Sequence, residues 1–216
     1  MQGRWDRVWF AATAGLAFAG VLISVLVAGA SRAAHLVDYF PGSTARALNT
    51  FAYFTIQSNL LVGASTLLLA LRPERRGRWF AVLRLAALVA ITVTGIVYHA
   101  ALRGLIDLKS WAIVSDQIVH TIVPVGAVAG WLLFGPRGLI DRRTVLLSLG
   151  FPVLWVAFTL IRGALYPWYP YPFIDVSKLG YGVVAVNCVW VAALMAALAA
   201  AALAVDRRLS RTAREG

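Results

Sequence analysis

The sequence predicts an all-α integral membrane protein, a single bundle of six transmembrane helices with both termini cytoplasmic. Three observations carry that reading. The 216 residues are 61% hydrophobic and only 13% charged, with a mean hydropathy of +0.78, whereas a soluble domain carries roughly 25% charged residues. The apolar residues gather into six runs, each long enough for the roughly 20 helical residues that span a hydrocarbon core about 30 Å thick. Arginine-rich connections alternate with cation-poor ones along the chain.

The runs are residues 8–30, 48–71, 79–102, 111–134, 144–165 and 181–205, followed by a basic tail at 206–216. The first follows Arg4 and Arg7; its apolar stretch of about 22 residues exceeds the ~7–15 of a signal peptide, so it reads as a retained helix. The second ends at Arg72, Arg75, Arg76 and Arg78, and the third begins at Trp79. The fourth enters at Trp111 and leaves into Arg137, Arg142 and Arg143. The fifth runs into a proline- and aromatic-rich segment, Tyr166 to Phe173, that cannot continue a helix. The sixth starts at Tyr181, offers small packing faces between Ala192 and Ala204, and leads to Arg207, Arg208, Arg211 and Arg214.

The intervening connections carry only Arg32 and Arg46, then Arg103 and Lys109, then Lys178. The positive-inside rule therefore puts both termini in the cytoplasm. The net charge of +11 sits in short clusters between apolar runs, a placement that suits anionic lipid headgroups and excludes a nucleic-acid interface. Trp79, Trp111, Trp168, Tyr169, Tyr171 and Tyr181 fall at helix ends as an interfacial aromatic belt. The single Cys188 rules out an internal disulfide and any cysteine-built metal cluster. No internal repeat is visible, which weakens a transporter built from duplicated halves.

Ionisable groups inside hydrocarbon are expensive, so each requires an account. The second run holds Thr55, Gln57, Ser58 and Asn59; the third Arg84, Thr92, Thr94 and His99. The fourth holds Asp116, Gln117, His120 and Thr121, and Arg162 closes the fifth. Counted from the outer side, Thr55 is about seven residues and roughly 10 Å deep, and His120 about nine residues and roughly 13 Å. His99, Arg103 and Arg162 approach the same edge, so polar groups of four helices converge on the outer half. The cytoplasmic half contributes Arg84.

Such a cluster contains the parts of a nucleophilic site: Thr55 as nucleophile, His120 as base, Asp116 to orient the imidazole, and Asn59 or Arg162 to stabilise an oxyanion. His99 and Arg103 are further supporting candidates. Each also has a plain structural reading, Thr55 as a hydroxyl bonded back to its own helix and His120 as an interhelical hydrogen bond. Tyr169, Tyr171, Pro172 and Phe173 lie over the cluster, either as an interfacial anchor or as a lid that keeps water from an apolar substrate. No His-x-x-His or Glu-x-x-His spacing joins His35, His99 and His120, so no metal or haem site is read.

Five stretches carry a resemblance: Tyr53 to Asn59; Thr94 to His99 with Leu102-Arg103-Gly104; Asp116 to Pro124; Trp131 to Gly138; and Tyr171 to Asp175. Together they resemble the androgen-induced and androgen-dependent TFPI-regulating proteins, and most closely the six-helix bacterial relatives of that family. The resemblance implies a multipass hydrolase of fatty-acid esters of hydroxy fatty acids, with Thr55 as nucleophile and His120 as its histidine. It implies no metal or organic cofactor. The chain departs from the animal motif in having Asp116-Gln117 where an Asn-His pair is expected. The expected function is thus an intramembrane lipid-ester hydrolase acting on membrane lipid or fatty-acyl esters. The alternatives are a non-enzymatic lipid-binding or small-solute or proton transport protein, and a structural subunit in which the cluster only fixes packing. Alanine, glycine and arginine usage, with little lysine, points to a bacterial plasma membrane. Protein partners stay open.

Overall fold

A computed structural model describes the backbone of residues 3–215; the side chains of His35 and of residues 212–215, Arg214 of the basic tail among them, lie outside the described residues. Among the described residues the protein is all-helical, with six helices long and apolar enough to cross a membrane. We label these α1 (Arg4–Ala30), α2 (Phe54–Leu71), α3 (Arg78–Leu102), α4 (Trp111–Phe134), α5 (Arg142–Leu165) and α6 (Val176–Glu215). They run up and down in sequence order. The connections at residues 31–53, 103–110 and 166–175 therefore share the end of the bundle opposite the N-terminus, here called the far end.

α3 is the central helix. Its most apolar stretch is 72% buried against 17% for α6, and it packs on α2, α4, α5 and α6. Leu85, Leu88, Val89 and Val93 of α3 join Trp155, Met195 and Ala199 in the main apolar core, while Ile91 joins Ala17, Val62 and Val123 in a second. Small residues let backbones close in: a Cβ on Gly20 would lie 2.7 Å from the Ile118 side chain, so α1 and α4 meet there only because Gly20 has none.

The outer face of the bundle is apolar where that of a soluble domain would be polar, and some polar side chains are buried. Leu22, Leu26, Leu133, Leu146, Val153, Leu154, Ile161, Val189 and Trp190 face outward, whereas Ser58, Asn59, Ser65 and Thr66 are buried. Several polar groups form struts between helices, while Thr66 bonds back to the Val62 carbonyl of its own helix. Ser24 meets Ser115 at 2.5 Å, Ser58 meets Thr94 at 3.0 Å, and the Trp9 indole donates to the Gly126 carbonyl at 2.9 Å. Arg84 is buried towards the N-terminal end, its guanidinium 5.5 Å over the Phe10 ring and 3.5 Å from the Ser65 hydroxyl.

Several boundaries differ from the hydropathy pattern, three of them with a visible cause. The run 48–71 is not one helix: a short helix Ser43–Asn49 passes through a 3₁₀ turn at Thr50–Ala52, Tyr53 is extended, and α2 begins only at Phe54. Tertiary contacts impose the break. Arg46 folds back onto the carbonyls of Phe40, Pro41 and Gly29, the Trp155 indole takes the Ala52 carbonyl, and the Tyr53 ring lodges against Trp168 and Tyr171. α5 opens at Arg142, with Asp141 capping it through the Thr144 amide, and is interrupted at Leu149 ahead of Pro152, which has no amide to donate. α6 does not end at Val205. After a kink at Gly180 (φ 74°) the helix continues to Glu215, so residues 206–215 are not a separate tail. Asp206 pins that extension to the α4–α5 connection by accepting from the amides of Gly138 and Ile140, both at 3.0 Å.

Candidate active site

Two π-helical turns, Tyr98–Leu102 at the end of α3 and Ile118–Ile122 within α4, lie beside the start of α2. One residue is gained in each turn, which rotates the following side chains relative to the α-helical face; such bulges are frequent at functional sites. They place Tyr98 and His120 face to face, with ring centroids 4.0 Å apart and planes 8° from parallel.

His120 is held from both edges. Its Nδ1 faces Asp116 Oδ1 at 2.9 Å, and its Nε2 faces Thr55 Oγ1 at 3.3 Å. The Tyr98 hydroxyl donates to the other oxygen of Asp116, so one tyrosine both stacks on the imidazole and fixes the carboxylate that orients it. With Asp116 as acceptor, the Nδ1 position carries the proton and Nε2 presents a lone pair to the threonine hydroxyl. The three residues form the hydrogen-bonded line hydroxyl–imidazole–carboxylate, with the side chains of His120 and Asp116 largely shielded at 16% and 11% exposure.

Because α2 begins at Phe54, Thr55 stands in its first turn and not several turns down a helix. Amides in that turn have no carbonyl partner within the helix and carry its positive dipole end. The Thr55 amide donates to the Tyr171 hydroxyl at 3.1 Å, and the Tyr171 and Thr55 hydroxyls are also 3.1 Å apart. Burial raises the Tyr171 phenol above the ordinary tyrosine range, against its hydrogen bonds with Thr55, so it is neutral at physiological pH. Burial likewise raises Tyr53, with Tyr171 adding to it.

Of the sequence candidates, Thr55, Asp116 and His120 are brought into contact. Asn59 is not aimed at the nucleophile's reactive side: its amide nitrogen donates to the carbonyls of Thr55 at 2.8 Å and Val119 at 3.1 Å, strutting α2 to α4. Arg162 is also turned elsewhere. It donates to Asn49 at 2.7 Å and lies over the rings of Phe40 and Trp168, clamping the aromatic roof at the far end. His99 is exposed and meets Thr121 at 3.1 Å, and Arg103 is an exposed residue at the end of the π turn. In the proline-rich segment Tyr171 reaches the site and Phe173 stacks on it at 5.4 Å, while Tyr169 seats in the space left by Gly163 and Pro172 is exposed. Tyr98 was not a candidate, although it immediately precedes His99 in a stretch already singled out.

A cavity of about 340 Å³ begins at Thr55 and Tyr171 and extends between α3, α5 and α6. Its wall is almost entirely apolar, including Phe54, Val97, Leu149, Val156, Cys188 and Met195. Val153, on its rim, is 66% exposed, so the cavity reaches the outer surface of the bundle at α5. A hydroxyl nucleophile with its base thus stands at the head of an apolar slot. Comparison of the chain with models of known families, with curated proteins and with solved structures finds no match in any of the three.

Proposed function

We propose that the protein is an integral membrane hydrolase of lipid esters, with Thr55 as nucleophile, His120 as general base and Asp116 as the carboxylate that orients it. The single observation that carries the reading is the conjunction of this line with the apolar cavity that starts at the same hydroxyl. Neither feature alone points to an ester: a hydroxyl–imidazole pair fits many packing roles, and an apolar slot fits any lipid. Together they hold an acyl chain and an activated oxygen on one side of its carbonyl.

In the first step the Thr55 proton passes to His120 Nε2 as Thr55 Oγ1 bonds to the carbonyl carbon. Collapse of the tetrahedral intermediate expels the alcohol, which takes that proton from His120. Water then attacks the acyl-threonine, again giving its proton to His120, and the fatty acid leaves while Thr55 recovers its hydrogen. Asp116 stays ionised throughout and favours the transient imidazolium.

The outward-facing leucines, valines and Trp190 support insertion in a bilayer. The alternation of arginine clusters supports cytoplasmic termini, with the site towards the outer leaflet, and those clusters would meet anionic headgroups. A substrate would then reach the cavity sideways from the lipid past Val153. We extend the proposal to membership of the androgen-induced and androgen-dependent TFPI-regulating family, resting on the quoted stretches, and to a bacterial plasma membrane, resting on composition. Hydrolysis of long-chain p-nitrophenyl esters by purified protein in detergent tests the activity. Turnover in the wild type that disappears in Thr55→Ala and His120→Ala supports the assignment, and turnover retained in Thr55→Ala sinks it.

A further inference from the structure

Deepening that hydrolase reading, on which it rests, we infer that Tyr171 is a third catalytic residue: its phenol, seated on the first turn of α2, supplies the hydrogen bond that holds the oxyanion. With His120 taken as the neutral imidazole that a general base must be, the direction of each proton follows by elimination. Asp116 accepts from Tyr98 on one oxygen and from His120 Nδ1 on the other. His120 Nε2 is then an acceptor, and it takes the one proton that Thr55 has. Thr55 Oγ1 has no second proton for Tyr171, so across their 3.1 Å contact the phenol donates and the threonine accepts. The phenol oxygen itself accepts from the Thr55 amide, which polarises its O–H towards the nucleophile.

As the Thr55 Oγ1–carbon bond forms, the carbonyl π electrons move to the carbonyl oxygen, which becomes the anionic and much stronger acceptor, while the threonine oxygen becomes a neutral ether-like oxygen of the tetrahedral intermediate. The Tyr171 hydroxyl needs only a rotation about its Cζ–O bond to turn from the one oxygen to the other. The placement suits this transfer, since Thr55 and Tyr171 both line the head of the cavity where the carbonyl must sit. The two side chains expected to serve the oxyanion, Asn59 and Arg162, are engaged elsewhere. The Tyr171 ring is braced by Tyr53, Trp155 and Phe173, contacts that do not involve its hydroxyl.

Tyr171→Phe keeps those ring contacts and removes only the donor. With a long-chain p-nitrophenyl ester, kcat is expected to fall by about 10²–10³, the cost of losing one oxyanion donor, with KM little changed. The matching thionoester, whose sulfur is a weak acceptor, is discriminated against by the wild type and much less by Tyr171→Phe; a merely structural role would slow both substrates alike. If the variant does not fold, Tyr171→3-fluorotyrosine retains the contacts and sharpens the donor, and an unchanged rate of acylation overturns the inference. Wild-type kcat in a folded Tyr171→Phe overturns it too, while leaving the Thr55–His120 assignment standing. A wild type no faster than Thr55→Ala refutes that assignment, and the oxyanion role with it.

Discussion

Asp116 and His120 were recognisable as a pair because an i, i+4 spacing survives almost any helical geometry. What the spacing does not contain is the partner on each outer edge. Tyr98 and Thr55 come from α3 and α2, and their arrival depends on two π turns and on a helix that starts late. Asp116→Asn is the sharpest test at this scale. The amide keeps the shape but offers its nitrogen or a neutral oxygen to His120 Nδ1, which removes the preference for the productive tautomer and the charge that stabilises imidazolium. Ester turnover is expected to drop by roughly 10²–10⁴ with the bundle still folded, as general-base losses do. An undiminished rate in Asp116→Asn means that Asp116 neither orients nor charge-stabilises His120. Thr55→Ser, by contrast, preserves the hydroxyl and is expected to keep measurable turnover where Thr55→Ala has none.

Six apolar runs were legible as elements because length and hydropathy do not depend on tertiary contacts. The interruption before Phe54 was not, since residues 48–53 contain no proline or glycine and only Arg46, Trp155 and Trp168, from elsewhere in the chain, explain it. That local failure matters to function, because it moves Thr55 from a helix interior to a first turn, where its amide is available to the Tyr171 hydroxyl. The proline-rich segment depends in turn on Gly163, where any side chain would overlap the Tyr169 ring. Gly163→Val is expected to displace the segment, destabilise the bundle by about 1–3 kcal/mol, and lower turnover by loosening Tyr171. Thermal unfolding in detergent alongside ester assays checks this, and native turnover would remove Tyr171 from the account. At the head of α5, hydrogen bonds from the Thr144 hydroxyl and amide hold Asp141 below the ordinary carboxylate range. The group binds protons less readily folded than unfolded, so its contribution is present above the unfolded pKa and is lost as pH falls through the depressed one. Between those limits Asp141→Ala should flatten the fall in melting temperature that the wild type shows on acidification; identical curves for the two would show that the cap contributes nothing.

For the whole molecule, the apolar outer face and the apolar slot make the same demand, a lipid environment outside and an acyl chain inside. Cys188 reports on the slot directly, being the sole cysteine and a lining residue. A long-chain fatty acid is expected to slow alkylation of Cys188 in the purified protein, whereas a short-chain acid at the same concentration is not. Equal protection by both, or by neither, would contradict an acyl-chain site. The cavity itself was invisible in the sequence. Its lining residues come from five parts of the chain, and nothing in their spacing distinguishes a wall from a packed core.

The central claim is that Thr55 is an activated nucleophile, and covalent labelling with an alkyl fluorophosphonate tests it most directly. Wild type, Thr55→Ala and His120→Ala are compared in detergent, with the labelled peptide located by mass spectrometry and folding followed by thermal unfolding. The account predicts one adduct, on Thr55, absent from both folded variants. An adduct on another residue, equal labelling of all three proteins, or no labelling of the wild type would contradict it.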